Sequence, residues 1–314
     1  MTIRWIAALF IIAGVAAAAS PEEDLKFAQL LGRRGLDKMA FQILDRLEKS
    51  RDPKAARFGR YGKAAVLTKD KASISRSRFL GALAGSRKPE VTRDQVIALY
   101  AGAKPAIEAY VKERGDDWDA RFLLGELLQE YAEFLTAADY PESLKADAAK
   151  LVSENGSKAE ALFTEAIDQF QAVHDKLSKK VGDDAPPDDP LYIKLTRADY
   201  YTARAWLRLA LLYPSGPSFI NRSEKAIEKL DEFASEHYKD TFGAVANLDL
   251  GECYYVRAIR LGDPDDAENA INYFSTIYGS IEEDPAAPDT SVILAKAFYW
   301  HNKVCNAGPA ATGK

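Results

Sequence analysis

Histidine is scarce in this chain of 314 residues, and its scarcity bears on metal binding and catalysis. The three histidines, His174, His237 and His301, lie far apart in sequence. None of them belongs to an H-E-x-x-H motif or stands near a second ligand at metal-binding spacing. His237 falls at an expected helix end, where it would interact with the helix terminus. The sequence therefore predicts neither a metal site nor a cofactor.

The motifs of nucleotide binding and acyl transfer are also missing. No glycine-rich phosphate loop with its lysine occurs, and the GRRG at 32–35 lacks the spacing and the preceding strand of a dinucleotide-binding loop. There is no G-x-S-x-G elbow. The acidic clusters at 182–190 and 262–269 lack the D-x-D-x-D-G order of a calcium loop. We favour helix capping by Asp265 and Asp266 over a calcium site.

The chain has no basic excess. Lys and Arg total 42 against 47 Asp and Glu, which gives a net charge of -5 without a long block of either sign. Nucleic-acid-binding proteins usually concentrate basic residues on one face. We therefore expect no nucleic-acid partner.

Only the N-terminus carries a long apolar run. Arg4 is followed by uncharged residues from Trp5 to Ala19, which is the layout of a secretory signal peptide at 1–19. An uncleaved anchor is the alternative, but the run is shorter than the ~20 residues that cross a bilayer. No Cys follows, which disfavours a lipid anchor. We expect a periplasmic or secreted protein that begins near Ser20 or Pro21 and has no integral membrane span after cleavage.

The remainder of the chain has the pattern of an all-α protein. Apolar residues recur at steps of three and four, no run alternates for long, and most of the 14 prolines fall between the periodic segments. Asn155-Gly156 marks a possible break in the helix predicted at about 142–180. The predicted helices span about 22–35, 36–50, 55–68, 72–84, 91–113, 116–139, 142–180, 191–213, 220–238, 242–261, 265–280 and 288–306.

A pattern of small and large residues recurs in these helices. One frame, on first helices, comprises Ala205, Trp206, Leu209, Ala210 and Tyr213, then Ala246, Asn247, Leu250, Gly251 and Tyr254, and Ala120, Leu124, Gly125 and Leu128. A second frame, on the helices that follow, comprises Ala226, Leu230 and Phe233, Ala270, Phe274 and Ile277, and Ala159, Phe163 and Ala166. Small residues let two helices approach closely while large neighbours fill the flanking gaps. The recurrence predicts stacked helix hairpins.

These frames resemble the tetratricopeptide repeat, in which A-W-x-x-L-G-x-x-Y marks the first helix of each unit. The resemblance implies a right-handed superhelix of antiparallel helix hairpins, a TPR-like α-solenoid. The frames at 205 and 246 lie farther apart than the family period of about 34 residues, so the repeat is degenerate. In outline the chain is similar to exported helical-repeat proteins of bacterial envelopes.

The domain organisation is predicted from composition. The acidic, proline-rich stretch at 181–190 indicates an exposed connection between an N-terminal helical-repeat region at 20–180 and C-terminal TPR-like repeats at 191–306. One bent array and two arrays both remain possible. The small and polar residues 307–314 predict a flexible tail.

Two cysteines, Cys253 and Cys305, fall on the first helices of neighbouring C-terminal units. An oxidising compartment would favour a disulfide. Adjacent helices lie roughly 8–10 Å apart, which is wider than the Cα spacing that a disulfide usually tolerates. We therefore predict that both are buried apolar residues.

The absence of a catalytic motif leaves two classes of function. We expect a non-catalytic scaffold that binds a protein or peptide partner in the cell envelope through the concave groove that the resemblance implies. Counting from the frames, the groove residues would be Phe122, Glu126, Gln129, Arg204, Leu207, Leu211, Leu248, Glu252 and Tyr255. The alternative is an all-helical secreted hydrolase or lyase acting on a polysaccharide, with Glu126 and either Asp249 or Glu252 as its two acids.

Overall fold

A computed structural model describes residues 20–64, 69–115, 117–138, 148–182, 185–238, 241–283 and 290–306. Across these ranges the chain is helical, with turns and short loops between helices and no strand. The all-α prediction is therefore confirmed. The predicted signal peptide at 1–19 and the predicted tail at 307–314 lie outside the described residues.

The described residues form twelve helices whose bounds lie close to the predicted ones. They are α1 (Pro21–Arg33), α2 (Asp37–Glu48), α3 (Pro53–Ala64), α4 (Asp70–Ala84), α5 (Arg93–Glu113), α6 (Trp118–Leu135), α7 (Ala148–Leu177), α8 (Pro190–Leu211), α9 (Pro217–Glu236), α10 (Thr241–Leu261), α11 (Pro264–Glu283) and α12 (Thr290–Asn306). None of these helices combines the length and the apolar character needed to cross a bilayer.

Helix α7 is continuous at Asn155-Gly156, where the sequence predicts a possible break. Asn155 Nδ2 donates to the carbonyl of Leu151, one turn earlier, at 3.0 Å. The amide side chain therefore bonds within the helix, and Asn155-Gly156 does not interrupt it.

Local sequence signals set several helix starts. Ser20 precedes α1, and its backbone N–H donates to Glu23 Oε2 at 2.7 Å while Glu23 N–H donates to Ser20 Oγ, which together form a capping box. Asp189 caps α8 by accepting from the Leu191 N–H at 2.7 Å, and Pro190 fills the first helical position. The last two residues of the acidic, proline-rich stretch at 181–190 therefore begin helix α8.

The chain divides into two compact units. The first contains α1 to α5 and α6 as far as Phe134, and the second contains α7 to α12. This division differs from the predicted boundary at 181–190, because α7 packs against α8: the rings of Phe170 and Tyr201 lie 5.4 Å apart. A proline-rich loop can join two helices of one unit as readily as two units.

In the first unit, α2 and α3 approach closely. A Cβ at Gly59 would lie 2.3 Å from the backbone nitrogen of Glu48, and a Cβ at Gly62 would lie 2.3 Å from Leu44 Cδ2. Leu25, Leu31 and Leu44 fill the core beside this contact. The small residues therefore set the distance between the two helices.

In the second unit, consecutive helices run antiparallel and alternate helices also touch. The rings of Tyr200 and Phe233 lie 5.8 Å apart between α8 and α9, while Arg222 of α9 lies over Tyr213 just after α8. Contacts also join α8 to α10 and α10 to α12. Helix α10 therefore packs against its neighbours in sequence and also against α8 and α12.

The predicted frames of small residues are buried. The fully buried alanines include Ala28, Ala40, Ala120, Ala159, Ala166, Ala205, Ala210, Ala226, Ala246 and Ala270. At Gly251, an added Cβ would lie 2.2 Å from Phe274 Cε1, so the ring of α11 occupies the space that a side chain on α10 would need. The prediction that a small residue permits close helix approach is confirmed at Gly251.

Arg260, near the end of α10, contacts the end of α8. Its guanidinium donates to the backbone carbonyls of Tyr213 and, at 3.3 Å, of Leu211. It also lies 4.9 Å from the ring centre of Phe219 at the start of α9. One side chain therefore satisfies the last carbonyls of one helix and packs on the next helix in sequence.

The cysteine prediction is half right. Both cysteines are free thiols; Cys253 is buried, as predicted, whereas Cys305 is exposed. Cys305 stands in the last turn of α12, and its side chain is exposed. The prediction that Cys305 is a buried packing residue is wrong.

Candidate functional site

Four of the nine predicted groove residues are buried. They are Gln129, Leu207, Leu248 and Tyr255, and the last three belong to the cores between neighbouring helices. Packing alone accounts for the presence of large apolar side chains at these three positions. The sequence counting missed this because it did not include the contacts between alternate helices.

The other five are partly exposed: Phe122, Glu126, Arg204, Leu211 and Glu252. Three of them are charged, and each of these takes part in a network of polar contacts between helices, described below. Contact of these five side chains with a partner stays a prediction.

In the first unit, three side chains on or just before α4 face three acids of α6. Lys69 Nζ donates to Glu126 Oε2 at 2.8 Å, Ser73 Oγ donates to Glu130 Oε2 at 2.6 Å, and Arg76 Nη2 donates to Glu133 Oε2 at 2.9 Å. The three pairs have the same separation in sequence, so the two helices run parallel and in register. We call these six residues the α4–α6 ladder.

The α4–α6 ladder is largely buried and extends to α5. The Tyr100 hydroxyl donates to Glu130 Oε2 at 2.9 Å, and the Tyr100 ring stacks on Tyr131 at 5.5 Å. Burial acts to lower the pKa of Lys69, but the charges of Glu130 and Glu126 outweigh it and leave that pKa above its ordinary value. The lysine is therefore charged at neutral pH despite its burial.

In the second unit, α8 and α10 form a comparable ionic contact. Arg208 Nη1 donates to Glu252 Oε1 at 2.9 Å, and the Tyr200 hydroxyl donates to Asp249 Oδ2 at 2.9 Å. Arg204 Nη1 lies 3.4 Å from the Tyr200 oxygen. We call these five residues the α8–α10 cluster.

Asp249 is the most deeply placed acid of the α8–α10 cluster, with 5% of the residue exposed. Burial raises the pKa of Asp249, although the charges of Arg204 and Arg208 oppose the rise. Burial and then the charge of Asp249 also raise the pKa of Tyr200 well above its ordinary value. The Tyr200 hydroxyl therefore remains a donor at neutral pH.

The same short motif occurs in both units. Leu124-Gly125-Glu126 and Leu250-Gly251-Glu252 occupy the same positions of the predicted frame. Glu126 pairs with Lys69, just before α4, and Glu252 pairs with Arg208 of α8, so each partner comes from two helices earlier in the chain. The sequence frame identified both glutamates, but it could not identify the cations, because each of them is distant along the chain. The repeated glutamate therefore links alternate helices in both units.

Aromatic and cationic side chains continue from α10 to α12. The rings of Tyr255 and Trp300 lie 5.4 Å apart. Lys303 Nζ lies 4.8 Å from the ring centre of Trp300 and 5.6 Å from that of Tyr255, within range of cation–π attraction. The second unit therefore carries ionic side chains between α8 and α10, and aromatic side chains with a lysine between α10 and α12.

The histidines do not form a metal site. His174 Nδ1 lies 2.6 Å from Asp199 Oδ1, which joins α7 to α8, while His237 stacks on Phe233 with ring centres 4.3 Å apart. Over the described ranges, no three His, Cys, Asp or Glu side chains are grouped so that they could hold a metal ion.

No protein-family description matches the chain, and no curated protein matches it.

Proposed function

We propose that the protein is a non-catalytic helical-repeat scaffold of the cell envelope, periplasmic or secreted, that binds a protein or peptide partner. The observation that carries the proposal is the contact of α8 with α10 and of α10 with α12. These contacts place Arg204, Leu211 and Glu252, all partly exposed, on adjoining helices. A surface that mixes arginine, aliphatic and acidic side chains suits an extended peptide or a partner helix.

The tetratricopeptide resemblance agrees with this arrangement. In that family, alternate helices line the inner face of a right-handed superhelix, and the partner lies along it. Consecutive antiparallel helices with contacts between alternate helices are what such a stack requires. Phe122 and Glu126 occupy the corresponding positions on α6 of the first unit.

The carboxylates considered for polysaccharide hydrolysis have structural partners. Glu126 is paired with Lys69, Glu252 is paired with Arg208, and Asp249 is buried beneath Tyr200. A glycoside hydrolase needs two carboxyl groups that both reach the scissile bond. Their engagement supports binding over hydrolysis as the function of this face.

A charge exchange tests the proposal without removing an ion pair. The double variant Arg208→Glu/Glu252→Lys keeps opposite charges opposed on α8 and α10 while it inverts their positions at the surface. Lys225 and Glu228 on α9, which pair at 2.8 Å at an exposed position, provide the matched control Lys225→Glu/Glu228→Lys. Circular dichroism would establish that both variants are folded.

The readout is capture of proteins from an envelope extract of the native host, quantified by mass spectrometry. We expect the exchange on α8 and α10 to reduce enrichment of the specifically captured protein by roughly tenfold, about 1.4 kcal/mol of binding, and the control exchange on α9 to leave it unchanged. Equal capture by the wild type and both variants would place the binding face elsewhere, on the opposite helix face or on the 181–190 connection.

A further inference from the structure

Helix α12 exposes two aromatic side chains. It packs on α10 and α11 through Ile293, Ala297 and Val304, which are buried. Phe298 and Tyr299 stand on other sides of the same helix and are 55% and 46% exposed. Large aromatic side chains on an exposed helix face indicate a surface that another molecule covers.

The charge of α12 is of one sign. Its sequence contains Lys296 and Lys303 and no Asp or Glu, although the whole chain has a net charge of -5. The Lys303 ammonium lies 5.7 Å from the ring centre of Tyr299 and closer to that of Trp300, so its charge stands at the edge of the aromatic group. Lys296, Tyr299, Trp300 and Lys303 recur at steps of three and four along α12, so they lie on one face of the helix, and we call these four residues the α12 surface.

The α12 surface adjoins the face considered above. Trp300 contacts Tyr255 of α10, and Tyr255 lies three positions after Glu252 on the same helix. A segment lying across α8 and α10 can therefore extend onto α12.

A second copy of the chain fits this surface poorly. Two α12 helices placed together would oppose lysines to lysines with no acid on either helix. The exposed Leu30, Leu36 and Phe41 of α1 and α2 are a possible complement, but Arg33, Arg34 and Lys38 lie among them in sequence. A lipid surface is also disfavoured, because recruitment to anionic membranes typically needs a cluster of about four to eight basic residues.

We propose that the α12 surface binds an acidic segment of a protein partner that also carries apolar side chains. Carboxylates of the segment would pair with Lys296 and Lys303, while its apolar side chains would cover Tyr299 and Trp300. This inference rests on the proposed function, since it describes the chemistry of the same partner.

Two matched peptides provide the probe. Each is an amphipathic helix of about 18 residues, or five turns, with leucines on one face; the positions that flank this face carry glutamates in one peptide and lysines in the other. Fluorescence anisotropy of the labelled peptides measures their affinity for the purified full chain. We expect the glutamate peptide to bind at least roughly tenfold more tightly than the lysine peptide.

Two variants locate the binding. Phe298→Ser/Tyr299→Ser alters exposed side chains only, and we expect it to weaken binding of the glutamate peptide at least roughly tenfold with unchanged helix content. Lys296→Glu/Lys303→Glu should reverse the preference between the two peptides. Equal affinity for both peptides, or no effect of the charge reversal, overturns the inference.

Two further outcomes overturn it in favour of another occupant. Light scattering that shows a dimer lost in Phe298→Ser/Tyr299→Ser would identify a second copy, and binding to phosphatidylglycerol vesicles lost in the same variant would identify a lipid surface. The test also separates the two proposals. If the α8–α10 exchange abolishes capture of the native partner while both α12 variants retain it, this inference fails and the proposed function stands. If the exchange variant retains capture while both α12 variants lose it, the partner binds α12 and does not bind α8 and α10.

Discussion

The contact between Gly251 and Phe274 predicts that a single added methyl group destabilises the second unit. In Gly251→Ala, the new Cβ would lie 2.2 Å from Phe274 Cε1 and 2.6 Å from Cδ1 and Cζ. Normal contact between carbon atoms is about 3.5 Å or more, so the ring must move by roughly 1 Å. Phe274 is fully buried, so it has no open space to move into.

Two effects of opposite sign decide the magnitude. Alanine favours a helix over glycine by about 1 kcal/mol, whereas overpacking of a core costs typically 1–3 kcal/mol. We expect overpacking to prevail and the free energy of unfolding to fall by about 1–2 kcal/mol. The control is Gly156→Ala on α7, where no atom lies within 4 Å of the new Cβ and where we expect a gain of up to about 1 kcal/mol.

Urea unfolding followed by circular dichroism at the helix band measures both variants. Gly251→Ala/Phe274→Leu should recover part of the loss, because the smaller side chain leaves room for the methyl group. A gain in stability for Gly251→Ala equal to that of Gly156→Ala would refute the idea that the glycine sets the distance between α10 and α11.

Three further predictions concern the second unit. Burial raises the pKa of Asp249 above 3.8, so the folded state favours the neutral acid. The wild type should therefore lose stability relative to Asp249→Asn as the pH rises from 3.8 through the raised pKa. Urea titrations of both proteins at about pH 4 and about pH 7 would measure this difference. A double-mutant cycle of Arg208→Met and Glu252→Gln should give a coupling of about 1 kcal/mol in the free energy of unfolding. A coupling of zero would show that the ion pair does not stabilise the fold. Burial raises the pKa of Cys253 to about 12, so iodoacetamide should alkylate Cys305 alone in the native protein and both thiols in denaturant, as intact mass would report.

The sequence predicts the helices well because their signals are local. Apolar spacing and caps such as Ser20 and Asp189 depend on neighbouring residues, and the buried alanines follow from the same spacing. The prediction for Cys305 failed because α12 is the last described helix, so position on a helix could not show which of its sides lacks a neighbour.

The surface residues were less predictable because they depend on partners distant along the chain. Lys69 pairs with Glu126, and Arg208 with Glu252, across a complete intervening helix in each case. The count that placed Tyr255 and Leu207 in a groove treated each hairpin by itself, whereas the contacts between alternate helices bury both side chains.

The contact of Arg260 with the end of α8 has a consequence for how the second unit folds. In an array of repeats, each hairpin has its own intrinsic stability and gains more from its interface with the next. Here the last turn of α8 obtains its hydrogen-bond donor from α10, so that turn is complete only when the following hairpin is in place. Neighbouring repeats are therefore coupled at their ends, and loss of α10 should fray the hairpin before it. Arg260→Met should accordingly broaden the unfolding transition as well as lower its midpoint, because the repeats would then unfold more independently.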